Sequence, residues 1–328
     1  MADAQFDILG IGNAIVDVVA RGEDSFLSRH DMRKGAMMLV DAEAAERIYA
    51  AMPPGEECSG GSVANTCAVA AGLGARVTYF GKVADDQLGQ VFSRDMRASG
   101  VHFPSSPLIG GAPTARCLII VTPDGQRTMN TFLGACVTLD QSDVDESIAA
   151  AALVTYLEGY LFDPPEAQKA FYKAAAAAHA AGRQVALSLS DPFCVDRHRA
   201  AFRELVAGHV DILFANEMEI TSLYEENTFA TAAEAARHDV ALAVLTRSEA
   251  GSVVLRGAEV VEIGPEPARV VDTTGAGDAY AAGFLVGLTA GRPLAVCGRL
   301  GSIAAAEIIS HYGARPEADL RKLVAAWV

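Results

Sequence analysis

The sequence predicts a large α/β domain with a mostly parallel sheet, and two observations support this fold class. Apolar runs typical of buried strands alternate with helical patterns along the chain, as in a parallel sheet covered by helices. A chain of 328 residues with 51% hydrophobic content can also bury a core of that size. Because no Pro/Ser-rich linker divides the chain, we expect one domain rather than two.

The alternation appears in the order of the elements. Apolar runs predict strands at 6–12, 76–83, 152–157, 184–189, 211–216 and 240–246. Helical patterns predict helices at 62–73, 87–99, 164–181, 196–207, 217–225 and 276–288.

Two regions interrupt this alternation, residues 16–40 and residues 103–135. Each contains short β-like pieces separated by Gly and Pro, with no helix of useful length. We expect the two regions to form a small β layer on the main domain, which would then comprise residues 1–15, 41–102 and 136–328.

The charge balance limits the possible partners. With 26 basic and 41 acidic residues the formal charge is −15, which argues against a nucleic-acid or anionic membrane surface. The six cysteines are scattered without a CxxC pair, so we expect free thiols in the reducing cytoplasm. The acidic N-terminus predicts neither a signal nor a transit peptide, and no apolar run is long enough to span a membrane.

The segment VVDTTGAGDAYAAGF, residues 270–284, contains the first candidate site. Gly275 and Gly277 allow a ligand to approach the backbone where a helix begins, and the N–H groups there suit a phosphate. Asp278 would repel that phosphate, but it could take a proton from a hydroxyl that attacks the phosphorus. The alternative is an aspartate that only stabilises the helix dipole. The loop is not a Walker loop, because the Gly-Lys-Ser/Thr ending is missing.

A second Gly-rich segment begins another helix. Gly60, Gly61, Ser62 and Asn65 stand at its start, and Asn65 follows Gly61 by four residues, so its amide can face whatever the glycines expose. Such a segment suits a neutral polyhydroxyl ligand as well as an anion.

The first strand ends in GIGNAIVD, residues 10–17, which places Asn13 and Asp17 after an apolar run. An amide and a carboxylate together can bind adjacent sugar hydroxyls. A dinucleotide-binding fingerprint is excluded by spacing, because the third glycine is missing and Asp17 comes too early.

Segments 58–89 and 272–285 resemble the two signature regions of the ribokinase-like (PfkB) family of carbohydrate kinases, through GGSVAN and DTTGAGDAYAAGF. Within that family GNAIVD, RTMNTFLGAC (127–136) and SLSDPF with DILFANEMEI (188–220) resemble segments of the adenosine kinases. The resemblance extends over essentially the whole chain. It implies a three-layer α/β/α, Rossmann-like main domain with a β-sheet lid.

The resemblance also implies a role for each matching residue. Asp278 would be the general base for a 5′-hydroxyl, next to an anion hole of Gly275, Ala276 and Gly277, with Arg127 reaching the transferring phosphate. The ribose would be held by Asn13, Asp17, Gly61, Ser62 and Asn65. ATP would contact Asn216, Thr246, Gly251, Thr274 and Gly277, and Glu219 would lie near Mg²⁺, through water.

The base of a nucleoside would need apolar neighbours. Met37, Met38 and Met129 fall where such groups would sandwich a base, and Phe193 is a further candidate. Plain packing is the alternative for each. The segment EGYLFD departs from the adenosine kinases, which tend to carry a pair of aromatics there, because Glu158 and Asp163 make it more polar, as in sugar-kinase relatives.

The function expected is therefore ATP-dependent phosphorylation of a primary hydroxyl, with adenosine as the favoured acceptor and AMP and ADP as products, a purine-salvage reaction. A sugar kinase acting on ribose, fructose or a related compound is the first alternative. A non-catalytic nucleoside-binding protein is the second, although Asp278 and the anion-hole glycines argue against it. The resemblance implies ATP and Mg²⁺, and it leaves open a monovalent cation such as K⁺ and the choice between monomer and homodimer.

Overall fold

Strands form the framework of the computed structural model, which describes residues 4–327. In chain order these strands are β1 (Phe6–Ile11), β2 (Ile15–Arg21), β3 (Met37–Leu39), β4 (Glu56–Gly60), β5 (Val77–Phe80), β6 (Val101–His102), β7 (Ala115–Val121), β8 (Arg127–Phe132), β9 (Ala152–Glu158), β10 (Gln184–Ser188), β11 (Ile212–Asn216), β12 (Leu242–Thr246), β13 (Ser252–Arg256) and β14 (Glu259–Ile263). Residues 1–3, on which part of the expectation about leader peptides depends, and Val328 lie outside the described residues.

The larger sheet has the order β14-β13-β12-β11-β10-β9-β1-β5-β6. Its strands run parallel from β12 to β6, and β13 and β14 extend it as an antiparallel pair. Apolar side chains fill both of its faces in two core clusters, as expected for a parallel sheet covered on both sides. The predicted α/β fold is therefore confirmed.

Helices follow the strands and cover this sheet. They are α1 (Asp24–Arg29), α2 (Ala42–Ala51), α3 (Ser62–Gly72), α4 (Gln87–Ala98), α5 (Glu146–Ala151), α6 (Pro165–Ala180), α7 (Pro192–His209), α8 (Glu217–Tyr224), α9 (Phe229–Asp239), α10 (Ala276–Thr289), α11 (Leu294–Ile308) and α12 (Leu320–Val324). Helix α7 begins four residues before the predicted start, because Asp191 caps it and Pro192 suits its first turn. Within the described residues, no helix is both long and apolar enough to cross a membrane.

The smaller sheet has the order β3-β8-β7-β2-β4. Strands β2, β3, β7 and β8 come from the two regions that interrupt the alternation in the sequence. Strand β4 does not, since it lies in the 41–102 segment that the sequence analysis gave to the main domain. Its polar residues show no strand pattern, and it forms by antiparallel pairing with β2, with Asp17 opposite Cys58. The short helix α1 is a second difference, in a region expected to have no useful helix.

The first two strands connect the sheets. Strand β1 ends at Ile11 in the larger sheet, and β2 begins at Ile15 in the smaller one. A second connection runs from β4 through Gly61 directly into α3. Both connections lie at the carboxyl edge of the parallel strands, where ligands bind in folds of this kind.

Candidate active site

Two helix N-termini meet at Asp278. The Ser62 hydroxyl donates a hydrogen bond to Oδ1 of Asp278 at 2.6 Å, and the Asn65 amide donates to Oδ2 at 3.1 Å. Ser62 and Asn65 lie in the first turn of α3, whereas Asp278 lies in the first turn of α10. The structure thus brings together the two Gly-rich segments that the sequence marked, with both carboxylate oxygens held in place.

The start of α10 has the geometry of an anion site. Gly275 precedes the helix with φ of 78°, a left-handed conformation, and a Cβ there would come within 2.6 Å of the Ala314 side chain. The Ala276 N–H donates to the carbonyl oxygen of Thr273 inside the loop. The Gly277 N–H, in the first turn, has no partner four residues back in the helix, and a Cβ at Gly277 would meet open space.

Asn13 is buried, with 3% of its surface exposed, against the carboxylate of Glu158. Oε1 of Glu158 accepts hydrogen bonds from the Asn13 backbone N–H at 3.1 Å and the Asn13 amide at 2.8 Å, while Oε2 accepts from the Val63 N–H at 2.9 Å. The amide oxygen of Asn13 has no partner among the described residues. An acceptor left over in this way suits a ligand hydroxyl.

Two glycines make this arrangement possible. A Cβ at Gly12 would come within 2.3 Å of Oε2 of Glu158. Gly61 has φ of 100°, and a Cβ there would lie 2.1 Å from the carbonyl oxygen of Asn13. Both positions therefore exclude a side chain.

Asp17 lies on β2, half-buried, and makes no side-chain hydrogen bond within the described part of the chain. A Cβ at Gly60 would come within 2.5 Å of Oδ2 of Asp17, so the small residue makes room for the carboxylate. Asn13 lies in the connection from β1 to β2, and Asp17 lies near the start of β2, so both are close to where the chain passes from the larger sheet to the smaller one. An unpaired carboxylate at this point can accept hydrogen bonds from a polyhydroxyl ligand.

Four carboxyl groups in the cleft at the carboxyl edge of the parallel strands have raised pKa values. Burial raises the pKa of Asp278 to about 6, although its bonds to Ser62 and Asn65 and the charge of Arg315 act to lower it. Burial likewise raises the pKa of Asp17 to about 6, against the charges of Arg315 and Arg127.

Glu158 and Glu219 complete this group of four. Burial raises the pKa of each to about 7, against hydrogen bonds that they accept from the backbone, and the negative charge of Asp278 adds to the effect. Raised carboxyl pKa values in a cleft are typical of acid–base sites.

Arg127 lies at the junction of the two sheets rather than free in the cleft. Its guanidinium is ion-paired with Asp272 and lies 3.4 Å from the Thr274 hydroxyl. Asp272 also accepts hydrogen bonds from Thr274 and from the Gly313 N–H. Burial raises the pKa of Asp272, but these bonds and the charge of Arg127 outweigh burial and hold the pKa below its ordinary value. Arg127 would have to exchange this partner to reach a phosphate.

Three of the five residues predicted to contact ATP follow two neighbouring parallel strands, whereas Thr274 and Gly277 lie at the start of α10. Asn216 ends β11 and Thr246 ends β12, opposite each other in the strand register. Gly251 has φ of 81°, and a Cβ there would lie 2.1 Å from the carbonyl oxygen of Ile263. These residues line the same carboxyl edge of the sheet as Asn13.

Glu219 closes a capping box with Asn216. Its oxygens accept hydrogen bonds from the Asn216 N–H at 2.9 Å and the Asn216 amide at 2.6 Å. Among the described residues, no group of three or more His, Cys, Asp or Glu side chains could hold a metal ion. This environment fits a magnesium ion that arrives on ATP and meets Glu219 through water, and it does not fit a cage made by the protein alone.

The residues predicted to contact the base of a nucleoside expose apolar surface. Phe193 is 74% exposed, Met38 is 39% exposed, and Met37 pairs with Met129 between β3 and β8. Sequence reasoning missed Tyr160, which is 42% exposed and is the exposed one of the two aromatics in EGYLFD, since Phe162 is fully buried.

Glu158 and Arg315 are the other residues that sequence reasoning missed. Glu158 gives a signal, a carboxylate at the end of an apolar strand, but the pattern indicates only added polarity, as in sugar-kinase relatives, and not the buried acceptor that the structure shows. Arg315 gave none, because it lies in an irregular segment after α11. Its guanidinium donates to the carbonyl oxygens of Ala64 and Ser59 and to the Ser59 hydroxyl.

Comparison with known proteins accounts for this geometry. The model of the pfkB family of carbohydrate kinases matches residues 38–320. The chain belongs to this family. A kinase of the family phosphorylates a hydroxyl group, which agrees with a carboxylate placed beside an anion site. ATP is the co-substrate that such a kinase implies.

Individual members of the pfkB family are similar over nearly the full length. The crystal structure of adenosine kinase from Sinorhizobium meliloti has a TM-score of 0.90 and 53% identity, covering 99% of this chain and 100% of that one. The crystal structure of a probable sugar kinase from Rhizobium etli CFN 42 has a TM-score of 0.91 and 48% identity, with the same coverage. Adenosine kinase from Saccharomyces cerevisiae is 27% identical over 329 residues, which is 92% of this chain and 94% of that protein.

Proposed function

We propose that this pfkB kinase transfers the γ-phosphoryl group of ATP to the 5′-hydroxyl of adenosine, with Asp278 as the general base. The observation that carries the proposal is the carboxylate of Asp278, held by Ser62 and Asn65 directly beside the start of α10. Relatives named adenosine kinase support the choice of acceptor.

The chemistry follows from the positions of these groups. The acceptor hydroxyl would lie between Asp278 and the N-terminus of α10, so that Asp278 takes the hydroxyl proton while the hydroxyl oxygen attacks the γ-phosphorus. The bond from the γ-phosphorus to the β,γ-bridging oxygen would break, and ADP would leave with that oxygen. The N–H groups at Gly275 and Gly277 would stabilise the negative charge that develops on the phosphoryl oxygens. The free amide oxygen of Asn13 and the carboxylate of Asp17 would accept hydrogen bonds from the ribose hydroxyls.

Magnesium and ATP belong to the same proposal. Mg²⁺ would neutralise phosphate charge when bound, and Glu219 would contact its water shell. Asn216, Thr246, Gly251 and Thr274 would hold the nucleotide. Arg127 would reach the phosphates after leaving Asp272. Dependence on a monovalent cation can be measured by exchanging K⁺ for tetramethylammonium in the assay.

A nucleoside is favoured over a free sugar by two features of the site. Glu158 directs both oxygens to Asn13 and Val63, so the polarity of EGYLFD is used inside the protein and does not favour a more polar acceptor. Phe193 and Tyr160 expose aromatic surface, which a base can cover and ribose cannot. Burying about 100 Å² of a base at about 25 cal/mol per Å² is worth about 2.5 kcal/mol, nearly two decades in affinity.

The proposal is tested by measuring ADP formation with adenosine, inosine, deoxyadenosine, ribose and fructose as acceptors. We expect kcat/KM for adenosine to exceed that for ribose by roughly 100-fold. Phe193→Ala should narrow this gap, whereas Val260→Ala, which truncates an exposed apolar residue on the far edge strand, should leave it unchanged. A higher kcat/KM for ribose or fructose would replace adenosine with a sugar as the acceptor.

The role of Asp278 has its own test. Asp278→Asn keeps the shape of the side chain but cannot accept the proton, so kcat should fall by roughly 10²–10⁴-fold. ATP binding, measured by calorimetry, should stay nearly the same. Activity within a few-fold of the wild-type protein would exclude Asp278 as the base.

A further inference from the structure

Arg315 lies between the two sheets without a carboxylate partner. One Nη atom donates to the Ala64 carbonyl oxygen at 3.1 Å, and the other donates to the Ser59 carbonyl oxygen at 2.8 Å and the Ser59 hydroxyl at 2.9 Å. Within residues 4–327 no Asp or Glu forms an ion pair with it. Because these acceptors are neutral, no negative charge compensates the positive charge of the half-buried guanidinium.

The residues that Arg315 contacts lie on either side of one sharp turn. Ser59 is in β4 and Ala64 is in α3, and between them Gly61 takes its left-handed conformation. Arg315 therefore braces the turn from outside. Ser62, whose hydroxyl holds Asp278, is inside the braced segment.

Arg315 is also a cation whose charge acts on Asp278 and, together with that of Arg127, on Asp17. Its charge lowers the pKa of Asp278 and is the largest opposing effect on that of Asp17. The titratable groups that face Asp278 from other elements are the carboxyls of Asp17, Glu158 and Glu219 and the hydroxyls of Tyr156 and Tyr160. Each of these groups can only be neutral or negative, so they give Asp278 no positive charge.

We propose that Arg315 is a positioning residue for phosphoryl transfer: it braces the turn that presents Ser62 and Asn65 to Asp278, and its guanidinium, which has no carboxylate partner, leaves a positive charge beside that turn. The inference rests on the proposed role of Asp278 as the base. Arg315 is proposed to act through Ser62, Asn65 and Asp278, not on the substrates directly.

The test is a titration that needs no substrate. Protein labelled with carbon-13 at aspartate carboxyls is titrated by NMR, and Asp278→Asn identifies the Asp278 signal. In Arg315→Gln the midpoint of Asp278 should rise by about one pH unit, the scale for loss of a neighbouring opposite charge. Arg315→Lys keeps the charge, so its midpoint should stay near that of the wild-type protein.

Arg76→Gln is the matched control, because Arg76 also joins two segments, through Asp7 and the Ala4 carbonyl oxygen, but at the opposite edge of the sheet. Its Asp278 midpoint should not move. An Asp278 midpoint in folded Arg315→Gln that equals the wild-type value would overturn the proposal, and so would an equal rise in Arg76→Gln.

The same variants separate this inference from the proposed function. The acidic limb of kcat/KM should move upward with the Asp278 midpoint in Arg315→Gln. A wild-type protein that phosphorylates no tested acceptor contradicts the proposed function, while the titration still decides the role of Arg315. If Arg315→Gln does not fold, Arg315→Lys tests whether Arg315 braces the turn. One ammonium cannot replace both Nη contacts, so kcat of Arg315→Lys should be at least about tenfold below that of the wild-type protein. A wild-type kcat in Arg315→Lys would overturn the brace.

Discussion

The hydroxyl of Ser62 lies 2.6 Å from Oδ1 of Asp278, although 216 positions separate the two residues in the chain. The bond joins the first turn of α3 to the first turn of α10. It stabilises the ionised form of a carboxyl whose pKa burial raises to about 6. The state of the proposed base is thus set by a residue from the other half of the protein.

Ser62→Ala should raise the pKa of Asp278, because one hydrogen bond to the charged form is lost. A bond to a charged acceptor is worth about 1.5–3 kcal/mol, so kcat/KM below about pH 7 should fall by roughly 10- to 100-fold. The pH profile of kcat/KM checks this, with Ser62→Thr as the control that keeps the hydroxyl. An acidic limb at the wild-type pH in Ser62→Ala would contradict the prediction.

Asp17→Ala should raise KM for the acceptor and change KM for ATP little. The Asp17 side chain makes no hydrogen bond in the described residues, so its removal leaves no protein donor unsatisfied, while a ligand hydroxyl would lose an interaction of about 1.5–3 kcal/mol. Steady-state kinetics with each substrate varied in turn measure the effect, and Asp17→Asn should be milder. Equal damage to both substrates would mean that Asp17 supports the fold instead.

Glu158→Gln should lower the free energy of unfolding by about 1–3 kcal/mol, because the amide nitrogen would face one of the three donors that now bind the carboxylate. Urea unfolding at about pH 8 measures this. Glu166→Gln is the control: Glu166 forms an exposed pair with Lys169, and its loss should cost about 0–1 kcal/mol. Equal decreases in the free energy of unfolding of the two variants would show that the buried hydrogen bonds of Glu158 contribute no more than an exposed ion pair.

Stability should fall as the pH rises from about 5 to about 7.5. Asp17, Glu158, Glu219 and Asp278 have pKa values of about 6 to 7 in the folded protein, against about 4 in an unfolded chain. In this window the folded protein holds more protons than the unfolded chain, so the free energy of unfolding decreases as pH increases. Urea midpoints at constant ionic strength should show this fall, reduced in Asp278→Asn. Stability that rises across the window would contradict the raised pKa values.

The sequence predicted the fold and marked several residues of the candidate site, because both depend on local patterns. The apolar run 152–157 became β9, and the glycine spacing at 275 and 277 marked the start of α10 without any knowledge of contacts. What could not be predicted depends on partners far along the chain. Strand β4 exists because β2 pairs with it.

The same holds for the buried polar contacts of the site. The role of Glu158 as a hydrogen-bond acceptor is visible only when the fold places it beside Asn13 and Val63. Arg315 acquires a role only when the turn at Gly61 is in place. The ion pair of Arg127 with Asp272 was likewise invisible, because the lid strand and the loop before α10 meet only in the fold.

The glycines at 12 and 61 limit how this enzyme can acquire new acceptors. Any larger residue at either position would collide with Glu158 or with the Asn13 backbone, so substitution there cannot reshape this part of the proposed acceptor site. Phe193 and Met38 can be replaced by residues of other sizes with fewer steric clashes, because much of their surface is exposed. A laboratory evolution experiment should therefore find altered acceptor preference in the exposed apolar wall, while the two glycines persist in every active variant.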